Sequence, residues 1–255
     1  MTQSAANTTV LVTGASGTLG SAVLPRLERD GYRLRPMSRH ARAGWVAGDL
    51  RTGEGLAEAV DGVDVIVHLA SAPGKPQQTD VEGTKRLLDV AEPAGVRHVL
   101  YVSINGIDRV PYSYYRAKLD TEKVVEGSGI PYTILRAAQF HPFVEMLLST
   151  SSKLGPVIID PGWQVQPVAV EDVADRIAEL IAGPGTGEII EYAGPQVLTF
   201  DEMARTWLSA RHSKRPIWRL RIPGSMAKAI RDGAQTTPAT PTGSRSWRDY
   251  LATKY

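Results

Sequence analysis

The chain has 255 residues, enough to bury one large core, and its 42% hydrophobic and 22% charged residues are ordinary for a globular protein and unlike those of a disordered or membrane protein. Cysteine is absent, which excludes disulfides, thiolate metal sites, iron–sulfur clusters and cysteine nucleophiles. The formal net charge of +2 is too close to neutral for a general nucleic-acid binder.

The amino end gives an expectation about location. Residues 1–7 lack a basic region followed by a long apolar stretch, and no run of the sequence is long and apolar enough to span a bilayer. We therefore expect a cytoplasmic protein that binds a small molecule, with no nucleic-acid partner, no membrane partner and no metal.

The most distinctive stretch is a glycine-rich turn at residues 13–20, TGASGTLG, with glycines at Gly14, Gly17 and Gly20. It follows the apolar run 10–12, which predicts a buried first strand of a parallel sheet, and it leads into a helical stretch. Glycines let the backbone turn sharply and approach a ligand closely. The start of a helix directs free N–H groups and the positive end of its dipole at an anion. We therefore predict that this turn holds a pyrophosphate.

The end of the second predicted strand, residues 32–37, indicates which dinucleotide is bound. In dinucleotide-binding folds an acidic residue about 20 positions past the glycines binds the ribose hydroxyls of NAD, whereas an arginine accommodates the extra phosphate of NADP. This chain has Ser38 and Arg39 at that position, with Arg42 nearby. The sequence thus predicts NADP(H) in preference to NAD(H).

Strands and helices continue to alternate. Strands are predicted at residues 45–48, 63–69 and 99–102, and helices at 54–60 and 80–91. Small residues at 70–74 leave room for a flat ligand after the middle strand. We interpret His68, within that strand, as a hydrogen-bonded core residue and not a catalytic one. Ser103 follows the last strand, at the rim where open parallel sheets bind their ligands.

A tyrosine and a lysine share one face of the next predicted helix, which runs from residue 112 to about 127. Tyr114 and Lys118 are four residues apart, so both side chains project toward the same partner. An ammonium group stabilises a nearby phenolate, which allows a tyrosine to transfer a proton near neutral pH. Tyr112 and Tyr115 have the wrong spacing from Lys118 for this role.

These motifs, in this order, resemble those of the short-chain dehydrogenase/reductase superfamily. The glycine pattern and the segment 129–136, GIPYTILR, are similar to its extended and atypical members, which include the NmrA-like branch and the epimerase- and dehydratase-like proteins. The likeness is strong to about Phe140 and weaker beyond it. It implies an α/β protein with a Rossmann-type, doubly wound parallel sheet and a small C-terminal substrate-binding subdomain.

The resemblance also implies which residues bind NADP(H). The pyrophosphate would be held by Gly14, Ser16, Gly17, Thr18 and Leu19, the 2′-phosphate by Arg39 next to Ser38, and the adenine by Asp49 and Leu50. The cofactor ribose would be bordered by Leu69, Ala70 and Ser71, the nicotinamide ribose would be bound by Lys118, and the nicotinamide would lie beside Ala137.

The catalytic set implied by the resemblance is Tyr114, Lys118, Ser103 and Asp80. Tyr114 would transfer the proton and Ser103 would polarise the substrate oxygen. Asp80 stands where the family has an asparagine of its proton relay. In extended members the catalytic hydroxyl usually lies one residue after Ser103, where this chain has Ile104.

The carboxyl half is predicted to complete the sheet and to add a smaller part. Strands are predicted at 132–135, 157–160, 166–170 and 188–192, and helices from Glu171, at 200–211 and at 246–251. We expect residues 1–138 to form the NADP-binding core. Residues 139–255 would combine the remainder of the core, about 157–193, with a small substrate-binding part at 139–156 and 194–255.

Two features of this half allow two interpretations each. Phe140, His141 and Phe143 could wall a substrate pocket or could equally be ordinary packing. The basic run at 211–221 is interpreted as a solvated face with one buried tryptophan, Trp218, in preference to a nucleic-acid patch.

The predicted function is that of an NADPH-dependent oxidoreductase that reduces a ketone- or quinone-type group on a small apolar or aromatic compound. The hydride would come from NADPH and the proton from Tyr114. Three alternatives stay open: an NmrA-like protein that senses NADP(H) without turnover, an epimerase or dehydratase, and hydride transfer to a quinone that needs no tyrosine acid. The Tyr114–Lys118 pair favours an enzyme, whereas Ile104 and Asp80 mildly favour the sensor.

Overall fold

A computed structural model describes residues 5–255; residues 1–4, part of the amino-end segment considered above, lie outside the described residues. The strands are β1 (Thr9–Thr13), β2 (Arg33–Ser38), β3 (Val46–Ala47), β4 (Val65–His68), β5 (His98–Ile104), β6 (Tyr132–Ala137), β7 (Val157–Ile159), β8 (Gln164–Val165), β9 (Glu188–Tyr192), β10 (Leu198–Thr199) and β11 (Ile217–Arg219).

The α-helices are α1 (Thr18–Arg29), α2 (Leu56–Val60), α3 (Glu82–Ala91), α4 (Ser113–Glu126), α5 (His141–Ser151), α6 (Val170–Ile181), α7 (Phe200–Ala210), α8 (Ser225–Arg231) and α9 (Trp247–Lys254). A short 3₁₀ turn, Ala5–Asn7, precedes β1, and a π-helical turn, Gln77–Val81, leads into α3. Within the described part of the chain, no helix is long and apolar enough to cross a membrane.

The centre of the fold is a parallel sheet of seven strands in the order β3-β2-β1-β4-β5-β6-β9. The order reverses direction at β1, which has β2 on one side and β4 on the other. The register pairs Val12 with Pro36 and Thr13 with His68, so the carboxyl ends of these three strands lie side by side. This arrangement confirms the predicted Rossmann-type fold, and β1 is the switch point at which such sheets bind ligands.

Contacts divide the described chain into two units. The first comprises the residues up to Ser103 together with 113–135 and 173–190. Its core is β-branched and leucine-rich: the three central residues of β1, Val10 to Val12, are completely buried. Side chains from α2 and α3, among them Leu56 and Leu87, pack in the same cluster. Burial of each such side chain stabilises the fold by roughly 1.5–3 kcal/mol, so this unit holds the glycine turn on a rigid base.

The second unit comprises residues 104–112, 136–172 and 191–255 and contains the buried carboxylate of Glu145 on α5. Trp207 Nε1 donates a hydrogen bond to it at 3.3 Å and Tyr250 Oη at 2.5 Å; Lys254 Nζ and Tyr255 Oη donate as well. Burial alone would raise the pKa of Glu145, but the hydrogen bonds outweigh it and lower the pKa to about 2. Glu145 thus ties α7 and the last helix, α9, to α5.

Three local predictions are wrong. The segment 166–170 is not a strand, because Pro167 has no N–H to donate and α6 already begins at Val170. The helix predicted from Asp80 starts two residues later, after the π-helical turn that holds Asp80. Trp218, predicted to be buried, is 55% exposed, because it lies on a sheet that among the described residues has only two short strands, β7 and β11.

Candidate functional site

A cleft of about 530 Å³ opens in the first unit at the carboxyl ends of β1, β2 and β4. Ten of the residues predicted to bind the cofactor line it: Gly14, Ser16, Gly17, Ser38, Arg39, Asp49, Leu50, Leu69, Ala70 and Ser71. The cleft has the size of a small-molecule site. It therefore joins the glycine turn and the end of β2 in one binding surface.

The floor of the cleft depends on glycine for steric reasons. Gly14 has φ = +65°, and a Cβ at this position would lie 2.7 Å from the backbone nitrogen of Ala70. A Cβ on Gly20 would lie 2.5 Å from the carbonyl oxygen of Gly14. Only a residue without a side chain allows the turn to approach β4 and α1 this closely. The space so kept lies at the start of α1, where free backbone N–H groups can bind an anion.

His68 holds the ends of β1 and β4 together. Its Nδ1 lies 2.6 Å from Thr13 Oγ1 and its Nε2 lies 2.8 Å from Thr84 Oγ1. Thr13 Oγ1 also accepts hydrogen bonds from the backbone N–H groups of Leu69 and Ala70, both at 3.2 Å. Burial, aided by the charge of Lys118, lowers the pKa of His68 to about 3. The prediction of a hydrogen-bonded core histidine is confirmed.

A short chain of hydrogen bonds connects Tyr114 to Asp80. Tyr114 Oη lies 2.6 Å from Ser71 Oγ, and Ser71 Oγ donates to Asp80 Oδ1 at 2.5 Å. The second carboxylate oxygen of Asp80 accepts from the backbone N–H of Ala72 at 2.9 Å. Asp80 is 1% exposed, whereas Ser71 is exposed and lines the cleft. The structure therefore places Tyr114 one hydroxyl group away from the cleft.

Lys118 lies in the interior behind this chain. Its Nζ donates to the carbonyl oxygen of Val102 at 3.2 Å and lies 3.9 Å from Asp80 Oδ1 and 4.4 Å from the centre of the Tyr101 ring. Burial lowers the pKa of Lys118 to about 8, although the negative charges of Asp80 and Glu122 oppose that effect. Lys118 and Asp80 thus form a buried pair of opposite charges under Tyr114.

The sequence matches the NAD(P)H-binding protein family over residues 14–184, which is about two thirds of the chain. The chain belongs to the NAD(P)H-binding family. The match begins at Gly14, so it includes the cleft, the Ser71–Asp80 pair and the helix with Tyr114 and Lys118. The predicted recognition of an NAD(P)-binding protein is confirmed by this match.

Two relatives of this NAD(P)H-binding protein match over part of their length. A photosystem II assembly factor of Cyanophora paradoxa is 31% identical over 147 residues, which cover 51% of this chain and 45% of that protein. A 3-beta-hydroxysteroid dehydrogenase of Mycolicibacterium neoaurum is 30% identical over 157 residues, which cover 47% of this chain and 43% of that protein. The chain therefore spans about half the length of these relatives.

A solved structure matches over nearly the whole NAD(P)H-binding protein. The NADPH-dependent quinone oxidoreductase of Escherichia coli, complexed with NADPH, superposes with a TM-score of 0.82. The alignment covers 96% of this chain and 99% of that chain at 19% sequence identity. At this identity the likeness establishes the shared fold.

The remaining predicted site residues lie elsewhere. Ser103 is 2% exposed, and its hydroxyl has no hydrogen-bond partner within residues 5–255. Thr18 and Leu19 form the first turn of α1, outside the cleft lining. Four predicted residues belong to the second unit, where His141 is buried against the rings of Trp247 and Tyr250; these four are Ala137, Phe140, His141 and Phe143. Their roles toward cofactor and substrate stay predictions.

Two cations of the cleft were missed in the sequence. Arg51 and Lys75 line it together with Arg39. Arg51 lies 4.0 Å from the carboxylate of Asp49, whose other oxygen accepts the backbone N–H of Arg51 at 2.8 Å. Arg51 directly follows Leu50, which was assigned to the adenine, and Lys75 directly follows the small residues 70–74 that leave room for a flat ligand. These positions are the signal that could have found the two cations.

Proposed function

We propose that the chain is an NADPH-dependent oxidoreductase that reduces a ketone- or quinone-type group on a small apolar or aromatic compound. The observation that carries this proposal is the 2.6 Å contact between Tyr114 Oη and Ser71 Oγ, because Ser71 also lines the NAD(P)H cleft. In this proposal, a phenol that can donate a proton lies next to the cleft in which the hydride donor would bind.

The residues of this chain would divide the chemistry as follows. A bound nicotinamide supplies the hydride. Tyr114 donates its proton to the substrate oxygen, and Lys118, buried under the site, stabilises the phenolate that this transfer leaves. Ser103, whose hydroxyl has no partner in the described residues, is the group that would polarise the substrate oxygen.

A preference for NADPH is supported by the charges of the cleft. Arg39 at the end of β2 and Arg51 beyond β3 line it, and the residues that end and follow β2, Ser38 to His40, include no acidic one. Guanidinium groups bind a phosphate with strong, charge-assisted hydrogen bonds. The 2′-phosphate of NADP would therefore lie against Arg39, with Arg51 as a second contact.

The named relatives support the reaction class. One relative is a dehydrogenase, and the structure with the same fold is an NADPH-dependent quinone oxidoreductase.

The test is NADPH oxidation by the purified protein with a panel of ketones, aldehydes and quinones. We expect turnover of a panel member and a loss of at least about a hundredfold in kcat for Tyr114→Phe, the usual contribution of a general acid, with NADPH binding unchanged. Tyr112→Phe, two residues earlier, is the matched control and should keep the wild-type rate. Turnover that survives Tyr114→Phe would instead indicate hydride transfer that needs no tyrosine acid.

A second candidate is a protein that senses NADP(H) without turnover. It is favoured by the relative that is named as an assembly factor and by Ile104 at the position of the family's catalytic hydroxyl. Tight NADPH binding with no turnover across the whole panel, together with different affinities for NADP and NADPH, would support it.

A further inference from the structure

The hydrogen bonds between Asp80, Ser71 and Tyr114 have a direction. A carboxylate has no proton to give, and one of its oxygens already accepts the fixed N–H of Ala72. Ser71 therefore donates its single hydroxyl proton in a hydrogen bond to the other oxygen of Asp80. It follows that Tyr114 must be the donor in the 2.6 Å contact with Ser71 Oγ.

An asparagine at position 80 would reverse this direction. Its single oxygen would accept the N–H of Ala72, and its NH₂ group would then face Ser71 as a donor. Ser71 would be free to donate its own proton to the oxygen of Tyr114, which favours the phenolate. The carboxylate of Asp80 and an asparagine amide therefore have opposite effects on the protonation of Tyr114.

We propose that Asp80, acting through Ser71, holds the Tyr114 hydroxyl in its protonated, donating form and so sets the pH at which Tyr114 ionises. Asp80 and Ser71 are positioning residues in this scheme. The negative charge at 1% exposure adds to the effect, because a phenolate near it would be a second negative charge in a poorly solvated place.

Other ionisable groups face the same place from β4, β5 and α4, and they do not supply this effect. Lys118 acts in the opposite sense, because a cation favours the phenolate. Burial keeps His68 neutral at neutral pH by lowering its pKa and keeps Tyr101 neutral by raising its pKa. Among the described residues, the ionisable groups that interact with this cluster include His68, Tyr101, Tyr115, Lys118 and Glu122.

The direct test needs neither cofactor nor substrate. The full-length protein is prepared with isotope-labelled tyrosine, and the Tyr114 signal is assigned as the one missing in Tyr114→Phe and titrated by NMR. We expect the titration midpoint of Tyr114 to fall by about one to two pH units in Asp80→Asn, which corresponds to the free energy of one hydrogen bond to a charged group. In Ser71→Ala it should fall by about one pH unit.

Two variants serve as controls. Ser71→Thr keeps the hydroxyl and should keep the wild-type midpoint. Asp89→Asn removes one negative charge from the exposed face of α3, where Asp89 pairs with Lys85 at 2.9 Å, and should also leave the midpoint unchanged. Ser71 is exposed, so its variants carry the test even where Asp80→Asn fails to fold.

The proposal is overturned if the titration midpoint of Tyr114 is unchanged or raised in Ser71→Ala. This holds even if the midpoint falls in Asp80→Asn, because Asp80 would then act without Ser71. The consequence for turnover rests on the proposed function: the alkaline limb of kcat should move to lower pH in Asp80→Asn. Absence of any turnover would refute the oxidoreductase while leaving the titration result to stand or fall by itself.

Discussion

The buried ammonium of Lys118 gives a pH dependence of folding that can be worked out from the structure. Its side chain is 3% exposed, and burial lowers its pKa from an ordinary value of 10.5 to about 8 against the opposing charges of Asp80 and Glu122. Between these two values the unfolded chain keeps a proton that the folded protein has released. Stability therefore rises with pH across this window.

The gap between the two pKa values corresponds to roughly 3 kcal/mol. Below pH 8 this whole amount is a cost of folding, because the charged amine must leave water; above pH 10.5 it has vanished. Tyr101 acts in the opposite direction at high pH, since burial raises its pKa and the unfolded chain ionises first. The comparison must therefore be made between the wild type and a variant that shares Tyr101.

The assay is urea unfolding of the wild type and Lys118→Met at several pH values from 8 to 10.5. Over this range, the free energy of unfolding of the wild type should rise by roughly 3 kcal/mol relative to that of Lys118→Met. Lys85→Met, which removes an exposed lysine paired with Asp89, should follow the wild type. Parallel curves for the wild type and Lys118→Met would refute the reasoning, because they would show that Lys118 titrates alike in the folded and unfolded states.

Three further predictions concern the cleft and the second unit. Gly14→Ala should lower the free energy of unfolding in urea by more than about 1 kcal/mol, because Gly14 has φ = +65° and a Cβ there would lie 2.7 Å from the backbone of Ala70. Gly74→Ala, at a position with open space around it, should leave this free energy nearly unchanged. Equal losses in the two variants would contradict the steric argument. Arg39→Ala should weaken NADPH binding about tenfold in a fluorescence titration and leave NADH binding nearly unchanged. The control Arg33→Ala, at the other end of β2, should change the affinity for neither cofactor. An equal loss of affinity for NADPH and NADH in Arg39→Ala would show that the 2′-phosphate does not lie against Arg39. Glu145→Gln should lower the free energy of unfolding by about 3 kcal/mol in thermal unfolding at neutral pH. At that pH the wild-type carboxylate is charged, since it is protonated only as the pH falls toward 2. A similar loss in the control Glu126→Gln, at an exposed position, would refute the role of the four hydrogen-bond donors around Glu145.

The cofactor half of the fold could be predicted because its determinants are local. The apolar run, the spaced glycines and the end of β2 are each recognised from a few consecutive residues. The pairing of β1 with β2 and β4 then brings the ends of these strands together. The burial of His68 was predictable for the same reason, since a histidine within an apolar strand lies in the core.

The rest depends on contacts between distant positions. The hydrogen bond between Ser71 and Tyr114 joins residues 43 positions apart, and no spacing rule relates them. Arg51 follows β3 and Lys75 follows β4, and both line one cleft because neighbouring parallel strands end at the same edge of the sheet. The exposure of Trp218 reflects the small size of the β7–β11 pair, which its own strand pattern does not encode.

The close packing under the glycine turn has a consequence for attempts to change cofactor specificity. A library of variants can leave Gly14 and Gly20 untouched, because any side chain there collides with backbone atoms and the loss is one of folding and not of preference. Arg39, Arg51 and Lys75 face the cleft with exposed side chains, so diversity placed there costs little stability. With the 2′-phosphate placed against Arg39 as proposed, selection between the two dinucleotides would concentrate on these three positions.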